Sequence, residues 1–82
     1  MKRVACPCCG YLTLEDGANY EICAVCFWED DGRGDDEADE VRGGPNYDLS
    51  LTQARKNFAE FGATERRFLE HVRMPKLEEM PE

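Results

Sequence analysis

Apolar residues along this chain fall into two regimes separated by a charged stretch. Past residue 50, Leu51, Ala54, Phe58 and Phe61 recur at i, i+3, i+7 and i+10, while Gln53, Arg55, Lys56, Asn57 and Glu60 take the opposite side. That is one face of a 3.6-residue period, and it predicts a helix over 50–61. Ser50 with Gln53 forms a capping-box pair, Asp48 lies just upstream, and Gly62 stands where a left-handed residue ends a helix. A second, shorter helix is predicted over 65–73, capped by Thr64. It would turn Phe68, Leu69 and Val72 inward and pair Arg66 with Glu70 and Glu70 with Arg73 on its outer face. Pro75 stops it, and 75–82 reads as a frayed polar tail.

Before residue 29 the pattern is shorter and β-like. Tyr11-Leu12-Thr13-Leu14 reads as a strand, 15–19 as a turn with Asp16-Gly17 as the reversal, Tyr20-Glu21-Ile22 as the return, and Phe27-Trp28 as a continuing strand. Leu51, Phe58 and Phe61 of the helical part are expected to cover Tyr11, Ile22 and Trp28. Between the regimes, residues 29–42 carry eight acids and two arginines, a net −6, with almost no apolar side chain. Such a stretch cannot offset its own ordering entropy and predicts a solvated, mobile loop. Gly43-Gly44-Pro45-Asn46 then closes an acidic loop spanning 29–46.

Size sharpens this picture. Eighty-two residues make one domain, whose apolar core alone would be marginal and in want of a staple. The five cysteines supply one, and their odd number argues against a complete disulfide framework. Met1-Lys2-Arg3-Val4-Ala5 leaves no room for the apolar part of a secretory signal, and no run is long enough to cross a membrane. A cytoplasmic protein is therefore expected, in which clustered cysteines read as metal-binding or redox-active. Ten basic against eighteen acidic residues give a net charge of −8. That balance opposes binding to nucleic-acid backbones and favours, if anything, a basic protein partner.

The candidate chemistry lies in two Cys-x-x-Cys pairs. Cys6-Pro7-Cys8-Cys9-Gly10 and Cys23-Ala24-Val25-Cys26 are separated by thirteen residues, the spacing of a four-thiolate zinc site. Soft thiolates in a tetrahedral set suit Zn²⁺ first and iron second. Four protein ligands leave no open position, so such a zinc is structural. Pro7 presets φ after the first ligand and Gly10 tolerates a positive φ after the second. In the second pair Phe27 stands in the glycine's place and must make the same turn against its own preference. Cys6, Cys9, Cys23 and Cys26 are the expected metal ligands, and Cys8 is expected to point away from them, as a passive thiol, a redox-sensing one that swaps with Cys9 or Cys6, or an alternative ligand.

Other residues carry less. His71 is the only histidine and lies among helical residues without acid–base or metal-binding partners, so a surface role near a helix end is expected. The acids of 29–42 do not follow the spacing of a calcium loop. Tyr11, Tyr20, Phe27 and Trp28 are expected mostly to build core around the metal, with Trp28 the one candidate anchor for a partner.

Cys-Pro-Cys-Cys-Gly-Tyr at 6–11, Tyr-Glu-Ile-Cys-Ala-Val-Cys-Phe-Trp-Glu-Asp-Asp at 20–31, Gly-Gly-Pro-Asn at 43–46 and Ala-Arg-Lys-Asn-Phe-Ala-Glu-Phe-Gly-Ala at 54–63 together resemble the cysteine-rich CPCC family of small, mostly bacterial proteins. The resemblance spans about residues 5 to 74. It implies a zinc-ribbon or rubredoxin-like module followed by helix, with Cys6, Cys9, Cys23 and Cys26 on the ribbon-ligand positions and Cys8 on the extra cysteine of the family. The first pair is also similar to the Cys-x-x-Cys-Gly-Tyr of rubredoxins, but the distance between pairs is much shorter and the second glycine is missing.

The expectation is a small α+β domain over 1–82: a metal-binding ribbon at 4–28, the acidic loop at 29–46, a helical part at 50–73 and a tail at 75–82. Its expected function is that of a non-enzymatic zinc-binding interaction module. The alternative is a redox protein, either an iron electron carrier or a thiol switch built on Cys8.

Overall fold

The computed structural model describes residues 3–15 and 20–81; the Asp16-Gly17 reversal lies outside them. Strand β1, Arg3–Ala5, pairs antiparallel with β2, Leu12–Glu15, in the register Arg3 to Glu15, Val4 to Leu14 and Ala5 to Leu12, with a bulge between Val4 and Ala5. The strand over 11–14 therefore pairs backward with residues 3–5, where a partner at 20–22 was expected. The first cysteine turn joins β1 to β2 directly and serves as their hairpin connection. The second turn repeats the plan in miniature: Ile22 and Glu29 form a single antiparallel bridge across it.

Helix α1, Leu51–Phe61, forms where the apolar period places it. Ser50 Oγ accepts from Gln53 N at 3.0 Å, and Gly62, at φ 97°, donates to Phe58 O at 2.9 Å. Gln53 Nε2 donates onward to Asn57 Oδ1 at 2.8 Å, and among the described residues no bond from Ser50 N completes the capping box. Leu51 and Ala54 are buried in one cluster with Leu14, Val25, Trp28 and the cysteines, and the Phe58 ring meets Tyr11 edge-on at 6.5 Å. Ile22 stays exposed, so the helix covers two of its three expected targets.

The second predicted helix is a 3₁₀ segment, Arg66–His71. Thr64 does not cap it: Thr64 N donates to Cys26 O at 2.9 Å and Thr64 O accepts from Asn57 Nδ2 at 2.8 Å. Three residues per turn displace the i,i+4 pairing, and the charges find other partners. Arg66 reaches Glu60, His71 reaches Glu70, and Arg73 turns to Glu79. Phe68 packs on Phe27 with ring centroids 4.4 Å apart, while Leu69 faces solvent.

The tail is not frayed over its described residues. Arg73 N donates to Ala24 O at 3.1 Å, and both Arg73 Nη atoms donate to the Glu79 carboxylate at 2.8 Å, straddling a 3₁₀ turn at Leu77–Glu79 that rests against β2. Arg73 draws the Glu79 carboxyl down to about 2, helped by the Lys76 N–H. A depressed carboxyl contributes its stability fully above the ordinary carboxylate range and loses it as pH falls toward that value. Glu79→Gln should therefore release residues 74–81 at neutral pH at a cost of about 1 kcal/mol, read as faster amide exchange there with the cysteine turns unchanged.

Residues 29–46 are likewise packed down, in place of the solvated loop expected from their charge. The Arg33 side chain is fully buried, its guanidinium 4.8 Å from the Trp28 ring centroid. It donates to the Asp31 carboxylate at 2.8 Å and to the carbonyls of Glu40 and Leu49. Asn46 locks the other end: its amide donates to Glu29 O and Asp31 Oδ2 and accepts from Glu29 N. Thr52 N donates to Ala38 O, and Arg55 reaches Asp35. One buried cation thus organises the segment, leaving Asp35, Asp36, Asp39 and Glu40 outward. Trp28 is the floor of that arrangement and has no exposed surface, which removes it as a partner anchor.

Candidate metal centre

Two turns of the same form present the four cysteines. In the first, Gly10 N donates to Cys6 O and Cys6 N donates to Tyr11 O, both at 2.8 Å; in the second, Phe27 N donates to Cys23 O and Cys23 N to Trp28 O, again at 2.8 Å. Gly10 sits at φ 83° and Phe27 at φ 73°. Phenylalanine therefore does adopt the left-handed backbone, at a cost of about 1–2 kcal/mol. Its ring offsets that cost, tilted against Phe68 at 4.4 Å and stacked on His71 at 5.4 Å. An inverted order of substitutions follows. Phe27→Ala loses the ring and keeps the strain, whereas Phe27→Gly loses both, so the glycine variant should be the more stable by about 1 kcal/mol in urea unfolding of the metal-loaded chain.

The ligand atoms of Cys6, Cys9, Cys23 and Cys26 all lie within 4.8 Å of one another. Cys6 Sγ is 3.6 Å from Cys26 Sγ, and Cys9 Sγ is 3.7 Å from Cys23 Sγ. A tetrahedral ion with bonds of about 2.3 Å to sulfur needs sulfur–sulfur edges of about 3.8 Å, so the four cysteines could hold a metal ion with little rearrangement. Second contacts are also in place: the Thr13 hydroxyl lies 2.9 Å from Cys23 Sγ, and Trp28 N–H donates to Cys26 Sγ at 3.5 Å.

So close together, four sulfurs cannot all ionise alone. Cys23 is held low by its contacts with the Cys26, Cys6 and Cys9 thiols and the Thr13 hydroxyl. Sharing protons with Cys23 pushes Cys6, Cys9 and Cys26 up, and burial adds to this. A cation at the centre would reverse the penalty for all four, so metal uptake must release protons.

Cys8 is outside this set. It is 9% exposed and belongs to the apolar core, in the turn position that Val25 occupies in the other pair. His71 stacks on Phe27 and stays at the surface, away from the cysteines. Neither the Thr13 contact nor the Arg33–Asp31–Asn46 lock follows from the sequence pattern. The one signal for the lock is a cation standing alone among acids five residues after a tryptophan. Among the described residues, no helix is long and apolar enough to cross a membrane.

No curated protein matches the chain, and no solved structure does. The family pattern described as Cysteine-rich CPCC matches residues 4–79, and it covers both cysteine turns, the locked acidic segment, α1 and the Arg73–Glu79 clamp. The chain therefore belongs to the cysteine-rich CPCC family.

Proposed function

We propose that this protein is a cytoplasmic zinc-binding module of zinc-ribbon type, in which Cys6, Cys9, Cys23 and Cys26 hold a structural Zn²⁺, and that it acts without catalysis by binding another protein. The observation that carries the reading is the closed set of four sulfurs within 4.8 Å, three of them buried, which leaves no ligand position for a substrate. The protein-binding half draws on two surfaces. An open groove of about 430 Å³ between α1 and the C-terminal segment is lined by Tyr11, Val25, Phe58, Phe61, Leu69 and Met74, with Met74 83% exposed. The outward carboxylates of 35–40 favour a basic partner. Burial of Cys8 counts against a thiol switch built on that residue, because an oxidant must reach the sulfur.

Elemental analysis of protein purified without added metal, with intact mass under non-denaturing conditions before and after chelation, tests the reading. The expected result is one zinc per chain and loss of the fold on its removal. One iron per chain, visible as a red oxidised protein, would replace it with electron transfer.

A further inference from the structure

The two cysteine turns share one backbone but not one environment. Cys26 is sealed: it is fully buried, its carbonyl accepts Thr64 N at 2.9 Å, and its sulfur takes the Trp28 N–H. Cys23 is equally buried and takes the Thr13 hydroxyl. Cys6 lies at 1% exposure, under the junction with β1. Cys9 is different. It alone of the four is half-buried, and among the described residues no N–H or O–H donor reaches its sulfur, whose polar neighbour is Cys23 Sγ at 3.7 Å. The segment 63–72 seals the second turn through Thr64 and Phe68; over the first turn, among the described residues, α1 packs Phe58 on Tyr11 and donates Arg55 Nε to Pro7 O at 2.8 Å, and neither contact reaches the Cys9 sulfur with a hydrogen bond.

A metal-bound thiolate keeps a nucleophilic lone pair. Burial denies reagents access to it, and a hydrogen bond to the sulfur draws off its charge. Cys23 and Cys26 have both protections, Cys6 has the first, and Cys9 has neither in full. We propose that Cys9 is the one position at which soft electrophiles attack the metal-loaded centre, and that its modification opens the centre and releases the metal. With iodoacetamide as probe, the Cys9 sulfur attacks the carbon bearing iodine. The carbon–sulfur bond forms, the carbon–iodine bond breaks and iodide leaves. The resulting thioether has lost the charge that held the cation, so three thiolates remain for a site that needs four. This assignment rests on the metal reading above.

The test uses the zinc-loaded full-length chain, limiting iodoacetamide, peptide mapping of the label and a colorimetric indicator for free zinc. Cys9 should carry the first label, about tenfold or more ahead of Cys6, Cys23 and Cys26, with zinc appearing at the rate at which Cys9 is modified. The competitor is Cys8, adjacent in sequence, unligated and 9% exposed. In Cys8→Val both rates should stay within about twofold of the parent, since that sulfur plays no part in the step. A first label on Cys8, an even spread over the cysteines, or zinc retained after Cys9 is labelled would each overturn the assignment. A chain that takes up no zinc fails before the electrophile is added, and overturns the metal reading instead.

Discussion

Cys23→Ser, prepared in zinc, is expected to be unfolded at 25 °C and to carry no metal. A structural zinc in a small domain contributes about 10–16 kcal/mol of folding free energy, against a total stability of about 5–15 kcal/mol for such domains. Loss of one ligand in four therefore removes more than the fold can spare. Cys6→Ser and Cys26→Ser should behave alike, because each leaves three sulfurs and places a hard oxygen where a soft donor stood. Cys9→Ser should also abolish tight zinc binding. Cys8→Val is the contrast: it fills a core position with a residue of similar size, as Val25 does in the other turn, and should change stability by about 1 kcal/mol or less. Circular dichroism with metal content measured on the same samples decides the matter. Retention of zinc in Cys9→Ser together with its loss in Cys8→Val would show that the ligand set within the first turn is misassigned.

Arg33→Ala should be the most damaging change outside the cysteines, costing about 3–5 kcal/mol. The guanidinium is fully buried, and its removal takes the countercharge from the Asp31 carboxylate, 5% exposed, and the donor from the carbonyls of Glu40 and Leu49. Arg33→Lys should recover little, since a point charge cannot satisfy the carboxylate and two carbonyls in one plane or lie flat on the Trp28 ring. The pH response supplies a second readout. In the parent, burial pushes the Asp31 carboxyl up, but the Arg33 guanidinium and N–H and the Asn46 amide hold it below its usual value. Its contribution is thus present above the ordinary carboxylate range and lost as pH falls through the lower native value. In Arg33→Ala the residue-33 N–H and the Asn46 amide still reach the carboxylate but the guanidinium is gone, so the carboxyl rises from its native value and its contribution to stability shrinks. As pH falls through the carboxylate range the stability gap between variant and parent should therefore narrow, seen in paired urea titrations at constant zinc. A parallel response in the two proteins would show that Asp31 does not depend on Arg33.

The parts legible from sequence are those fixed by short-range rules. The apolar period and Ser50 and Gly62 place α1 because a helix is decided within a few residues of itself. The cysteine spacing singles out the four residues that converge, because a Cys-x-x-Cys turn brings its two sulfurs together locally. Failure begins where a residue's partner is distant. Arg33 reads as one more charge in a polar run until Trp28, Glu40 and Leu49 surround it. Glu79 reads as tail until Arg73 clamps it, and Thr64 reads as a cap until Cys26 claims its N–H. Composition argued for a loose 29–46 segment because it counts charges without knowing that one of them is enclosed. The strand pairing differs from the sequence expectation for a related reason: the first cysteine turn, a metal knuckle by its spacing, is also the hairpin turn that joins β1 to β2.

That double use of each turn bears on how the chain reaches its native state. Each turn closes over about five residues, a loop that forms in well under a microsecond, and already holds two of the four sulfurs. The contacts that enclose the site are of another order: Arg55 reaches Pro7 across 48 residues, and Arg33 reaches Leu49 across 16. A cation can be chelated by one preformed pair, then by the second, before α1 has anything to pack on. Metal concentration should accordingly set the rate of the fast folding phase and leave a later, metal-independent phase for the closing of residues 29–61 over the sulfurs.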